Sequence, residues 1–212
     1  MSVEELEVRV KRLEDNLEIM NLQSRYNFYL GMYWGERAVD ELFAKNDPDV
    51  STDINGARWF GLDGVRRMFS QLDRVHKEMP GRMGLLMAIQ PLINVDKSGD
   101  RANGQWYCFG PSALPTKNSP EDEEHLGAMW MFGRYDVDYV KEDGRWKIKK
   151  LGFSLHFLSP VGEGWVNCPT PHYVRPFESE AGSKPDQPST FPHLYKPEGP
   201  NTYGPAPPED QD

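Results

Sequence analysis

Residues 128–158 read AMWMFGRYDVDYVKEDGRWKIKKLGFSLHFL. Two long runs alternate apolar and polar side chains on either side of Glu142-Asp143-Gly144, which has the composition of a hairpin turn. The pattern predicts antiparallel strands over 128–140 and 145–158. Upstream, Leu85 to Val95 and Arg101 to Phe109 read as two further strands joined by a turn at Lys97-Ser98-Gly99-Asp100. Residues 82–160 are therefore expected to form a meander. Its one interruption is Gly110 to Leu126, which holds Pro111, Pro115, Pro120 and the acidic run Glu121 to Glu124. That composition predicts a long loop, either functional or disordered.

The residues before the meander read as helical. Over 3–33, Leu6, Val10, Leu13, Leu17 and Met20 recur at alternating steps of four and three, the spacing of one helix face. The same face continues as Ser24, Asn27, Gly31 and Trp34. An apolar stripe that turns small and polar predicts a helix that packs in the core and then lines a cavity. A second helix is expected over Glu36 to Ala44. A strand pair follows over Val50 to Phe60, turning at Asn55-Gly56. A third helix is expected over Leu62 to Lys77, with Asp63 as N-cap and Val65, Met68, Phe69 and Leu72 facing the core.

The chain has 212 residues, 38% of them hydrophobic, enough for one sizeable domain plus extensions. The formal charge of −9 argues against sequence-independent binding to nucleic acid or an anionic membrane, because both need basic faces. No apolar run is long enough to span a bilayer and the N-terminus is charged throughout, so a cytoplasmic protein is expected. Cys108 and Cys168 share no metal-like spacing and read as free thiols. After Pro160 the composition shifts to a proline-rich stretch that still carries Trp165, Tyr173, Phe177, Phe191, Tyr195 and Tyr203. Two parts are therefore expected: residues 1–160 as an α+β domain, and residues 161–212 as an extended arm, partly disordered or laid over this subunit or a neighbour.

Four stretches, in order, carry a resemblance. They are Ile19 to Tyr26, Trp59-Phe60-Gly61-Leu62-Asp63-Gly64-Val65-Arg66 running on to Phe69, Asp100 to Gly104, and Asp143 to Ile148 followed by Ser159-Pro160. Together they resemble the SnoaL-like branch of the nuclear-transport-factor-like superfamily over residues 15–160. The resemblance implies a cone-shaped α+β fold, a curved antiparallel sheet wrapped around helices, with a pocket at its open end. It also implies scytalone dehydratase-like, dehydrochlorinase-like and cyclase relatives, and a homodimer or homotrimer. Many such relatives use an Asp–His pair. The corresponding positions here fall on Gly31 and on Leu86 or Met87, so that pair is missing.

Other residues must then carry any chemistry. His156 is the candidate base, since both of its protonation states are accessible near neutrality. A core histidine satisfied by a backbone carbonyl is the competing reading. Arg134 and Tyr29 are the candidates for assisting a departing oxygen. For Arg134 the alternative is an ion pair with Asp136 or Asp138. Tyr26, Asn27, Trp59, Met87 and Trp130 are candidate substrate contacts; aromatic residues of this kind also serve as core. His76, set among Arg74, Lys77 and Glu78, reads as a helix-surface residue. No metal-ligand spacing or phosphate loop is present, so no cofactor is expected. The expected function is a cofactor-independent lyase acting on a small apolar or aromatic alcohol, by dehydration or by retro-aldol loss of formaldehyde. The alternatives are a non-catalytic binding or assembly module, and an isomerase or cyclase.

Overall fold

The computed structural model describes residues 1–54, 57–116, 123, 125–170, 184–188, 194–201 and 206. Helix α1 spans Val3–Gly31, α2 Gly35–Leu42 and α3 Gly61–Glu78. The strands are β1 Ser51–Ile54, β2 Ala57–Phe60, β3 Met83–Gly84, β4 Met87–Val95, β5 Arg101–Thr116, β6 His125–Glu142, β7 Arg145–Pro160 and β8 Gln187–Pro188. They form one sheet in the order β3-β5-β6-β7-β1-β2-β8, with β4 also paired to β5. All pairings are antiparallel except β1 with β7. The α+β cone expected from the sequence is the fold of the chain.

Where a loop is expected over 110–126, the described residues 110–116 and 125–126 are strand. β5 continues through both Pro111 and Pro115 and pairs with β6 without a register break. The Pro111 carbonyl accepts from Leu85 N at 3.1 Å, so Pro111 turns its backbone groups toward the β3–β4 side. Pro115 has the same parity and lies beyond the last β3 pair at Ala113. Neither proline therefore removes a donor from the β5–β6 ladder. Of the acidic run only Glu123 is described, and it is exposed.

The stripe expected to be buried on α1 is not. Leu6, Val10, Leu13, Leu17 and Met20 are all exposed, whereas Asp15, Ile19, Leu22, Gln23 and Tyr26 face the sheet. Polar residues won the buried face because each has a partner there. Asp15 accepts from Lys141 Nζ and Trp146 Nε1, both at 2.8 Å. Burial pushes the Asp15 carboxyl up, but these two bonds outweigh it and hold it below the usual carboxylate range. Asp63 does not cap α3; it lies in the first turn, and the N-cap position is Phe60, without a side-chain bond.

Beyond β7, Trp165 stacks on Phe157 at 5.0 Å and Leu158 N donates to the Pro169 carbonyl. β8 pairs with β2, and Asp186 bonds Phe60 N and Arg67. These described parts of the arm pack on their own subunit. His172, His193, Tyr173, Phe177, Phe191, Tyr203 and the turn residues Asn55-Gly56 lie outside the described residues.

Candidate functional site

Register decides which side chains meet. On β5 the even positions Ala102, Trp106, Cys108, Ser112 and Leu114 are buried, and on β6 the odd positions Met129, Tyr135, Val137 and Tyr139. These line the concave face beneath the helices. The opposite parity, including Tyr107, Phe109, Trp130, Phe132, Arg134 and Asp136, lies on the convex face.

His156 belongs to the convex set. A bulge leaves His156 and Phe157 together opposite Phe132, since Phe132 pairs with Phe157 and Gly133 with Leu155. The imidazole lies 5.5 Å from the Phe132 ring, and Phe132 stacks on both Tyr107 and Phe157. It is fully buried, and its own carbonyl accepts from Tyr195 N at 2.6 Å. Arg134 shares this face and binds Asp136 through two contacts, 3.0 and 2.9 Å. Tyr29 is elsewhere, at the α1–α2 surface, donating to Glu41 at 2.6 Å beneath the Arg37 guanidinium. That bond to Glu41 raises the Tyr29 phenol. The three expected catalytic residues are therefore not brought together. Met87, opposite Phe109, and Trp130, stacked on Phe109, are also convex. Trp59 is wholly buried in the main core.

Tyr26 and Asn27 do lie on the concave side. There a polar chain runs from Trp106 Nε1 to Tyr139 Oη (3.2 Å), from Tyr139 Oη to Gln23 (2.9 Å), from Gln23 to Asn27 (3.1 Å), and from Asn27 to the Leu86 carbonyl (2.9 Å). Tyr26 and Tyr135 meet edge to face at 5.8 Å, and Tyr26 meets Phe69 at 6.0 Å. Burial drives the Tyr26, Tyr135, Tyr139 and Cys108 acids strongly upward, so all stay protonated. This deep part is interlocked, with its donors and acceptors mutually engaged. The missing Asp–His pair would fall beside it: a Cβ on Gly31 would meet Leu85 at 3.2 Å.

The rim of the concave face differs. Here Leu114, Met129 and Leu158 form a small apolar cluster with Met131 and Leu155. Ser112 Oγ is buried and takes no hydrogen bond among the described residues. Gly84 pairs with Ser112 and so shares its face, and a Cβ on Gly84 would lie 3.6 Å from His76 Cε1. His76 is half-buried, not on the helix surface, and its Nδ1 is likewise buried without a hydrogen bond among the described residues. Burial, helped by the nearby Arg82 charge, lowers its pKa to about 4, so the ring is neutral at pH 7. Tyr33 stacks on it at 4.4 Å and donates to the Arg82 carbonyl at 2.7 Å.

Tyr33 is held by the way α1 ends. Tyr33 N donates to the Leu30 carbonyl and Trp34 N to that of Tyr29, the paired bonds of a Schellman termination. Tyr33 takes the left-handed position of that motif, φ 56°, where glycine is usual. Sequence reasoning missed this group, although His76 continues the α3 core face Val65, Phe69, Leu72 at steps of four, three and four. Ser112 gave no signal, since its stretch read as loop.

Among the described residues, no group of three His, Cys, Asp or Glu side chains converges as a metal site, and no helix is long and apolar enough to cross a membrane. No curated protein matches the chain. Solved structures do. A protein provisionally assigned as a scytalone dehydratase, from Novosphingobium aromaticivorans, is 18% identical with a TM-score of 0.56, covering 84% of this chain and 97% of its own. The hexachlorocyclohexane dehydrochlorinase LinA-type3 of Novosphingobium barchaimii is 16% identical at 0.56, covering 79% and 99%. An NTF2-like protein from Novosphingobium aromaticivorans is 18% identical at 0.53, covering 73% and 90%. At these identities the likeness is one of fold. The model of the SnoaL-like domain matches residues 11–152, and the chain belongs to that family.

Proposed function

We propose that the protein is a cofactor-independent lyase whose reaction takes place at the rim of the concave face, with His76 as the base. The observation that carries this reading is the neutral, half-buried His76, with Nδ1 unengaged among the described residues, held under Tyr33 on the face of Ser112. A histidine kept uncharged in an apolar setting can accept a proton at neutral pH. The leucine and methionine side chains clustered beside Ser112 suit an apolar or aryl alcohol.

In a dehydration, His76 takes the proton from the carbon next to the carbinol. The Ser112 hydroxyl hydrogen-bonds the departing oxygen, which leaves as water after receiving the proton back from the imidazolium. In a retro-aldol cleavage, His76 takes the proton of a CH2OH hydroxyl while the carbon–carbon bond breaks and formaldehyde departs; the electron pair of that bond forms the alkene as the neighbouring carbinol hydroxyl leaves as water, carrying the proton returned by the imidazolium. Both reactions are redox-neutral. This assignment replaces His156, which lies on the other face behind Phe132, and Tyr29, which is engaged by Glu41.

The test is turnover of a panel of aryl alcohols, followed by the ultraviolet absorbance of a conjugated alkene and by formaldehyde release. His76→Ala should lose roughly 10²- to 10⁴-fold in kcat/KM, while His156→Ala should retain the activity of whatever fraction folds. Full activity in His76→Ala removes the base. A binding module is the second reading, favoured by Gly31 and by Leu86 or Met87 at the positions of the missing acid–base pair. Saturable binding across the panel without product would support it.

A further inference from the structure

We infer that α1 is the dimerisation element of this protein, forming a parallel two-stranded coiled coil with α1 of a second copy. The exposed stripe has a strict seven-residue repeat: Val3, Leu6, Val10, Leu13, Leu17 and Met20, at steps of three and four. All six side chains are exposed, from 39% at Met20 to 74% at Val3. Residues 3–14 touch no other element through a buried side chain, yet they form a continuous helix opened by a Ser2/Glu5 capping box. A helix of that length without a partner is marginal in water, and one with a seam of Val and Leu exposed is more so.

The seam and the docked face lie on opposite sides of the helix. In heptad notation Val3, Val10 and Leu17 are a positions, and Leu6, Leu13 and Met20 are d positions. Asp15, Ile19, Leu22 and Tyr26, which anchor the helix to its own sheet, fall at c and f. At 100° per residue these centres are about 160° apart, so a second helix reaches the seam without displacing the domain. The seam ends where the helix enters the domain, at exposed Ser24 and at Asn27, which is engaged by Gln23 and the Leu86 carbonyl.

The occupant follows from side-chain type and charge. Valine at the first two a positions with leucine at the first two d positions is the combination that favours two parallel strands. The flanking g and e positions hold Arg9 and Glu14. In a parallel pair, a g residue faces the e residue five positions on in the other helix. Arg9 of each copy then meets Glu14 of the other, twice per dimer. An antiparallel pair sets e against e and g against g, which brings Glu7 and Glu14 against acidic neighbours. The complement to this helix is the same helix in the same direction.

The full chain should therefore sediment as a dimer at micromolar concentration. Leu13→Glu should convert it to monomer with an unchanged near-ultraviolet dichroism spectrum. Val8→Glu, at the exposed f position, should leave the mass unaltered. Arg9→Glu or Glu14→Arg alone should raise the dimer dissociation constant several-fold, and the two combined should restore it. Val3→Cys should form an interchain disulfide on diamide oxidation, because a parallel pair places the two position-3 residues together. A monomeric or trimeric parent, a dimer indifferent to Leu13→Glu, or a Val3→Cys protein that does not cross-link would each overturn the inference.

Discussion

The two ends of the concave face are built from the same strands and treat polar groups in opposite ways. At the closed end, Asp15 is held by Lys141 and Trp146, and the Tyr139–Gln23–Asn27 chain leaves each of its side chains engaged. At the rim, His76 Nδ1 and Ser112 Oγ are buried without hydrogen bonds among the described residues, and Ser112 pairs with Met129 of the apolar cluster. A buried polar atom without a partner costs about 1–3 kcal/mol. The closed end keeps one such atom too, Asn16 Oδ1 beside Asp15, but its charged and phenolic groups are engaged, whereas at the rim the unengaged group is a titratable imidazole.

The largest effect is expected at the closed end. Asp15→Ala leaves the ammonium of Lys141, only 13% exposed, and the indole N–H of Trp146 without their acceptor. Removing one partner of a buried pair costs about 3–5 kcal/mol. Urea unfolding should show a loss of that order, while the kcat/KM of the folded fraction stays near that of the parent. A loss under about 1 kcal/mol would make the Asp15 cluster a surface pair in energetic terms and blur the distinction between the two ends.

A smaller effect belongs to the rim and to pH. The folded pKa of His76 is about 4, against an ordinary value of 6.5. The unfolded chain therefore binds the proton first as pH falls. The stability present above pH 6.5 is lost progressively down to about pH 4. The full shift sets an upper limit, and partial solvent access reduces it to about 1–2 kcal/mol. His76→Phe should flatten that part of the pH–stability curve relative to the parent. Catalysis should follow the same group: the acidic limb of kcat/KM should lie near pH 4 rather than 6.5. A limb near 6.5 would point to a histidine in ordinary surroundings.

The sequence made the architecture legible and the site mostly not. The hairpin over 128–158 could be read because alternation and an Asp-Gly turn are local properties. The rim strand carrying Ser112 could not, because whether a proline breaks a strand depends on which side its nitrogen faces, and that is fixed by Leu85 from across the sheet. The stripe on α1 is one helix face, as its spacing predicts, but it is the exposed face. Spacing reports a face, but only the partners of Asp15 and Gln23 show which face docks. The face that His156 takes is not legible for a related reason: a one-residue bulge opposite Phe132 decides its direction, and bulges leave no mark in alternation.

The finest test of the contrast is Tyr33→Gly. The left-handed φ of 56° at Tyr33 costs about 1–2 kcal/mol relative to glycine. The tyrosine returns part of that through its bond to the Arg82 carbonyl and its stacking on His76. The two contributions are of similar size, so the melting temperature should move little in either direction. The histidine should move more. Without the ring over it, His76 gains access to water, the desolvation that lowers its pKa weakens, and its titration by NMR should shift from about 4 toward 6.5. A variant with unchanged stability and an unchanged His76 titration would mean that the tyrosine merely ends a helix. A shifted titration at constant stability would mean that α1 carries a residue in a costly conformation in order to keep one imidazole neutral.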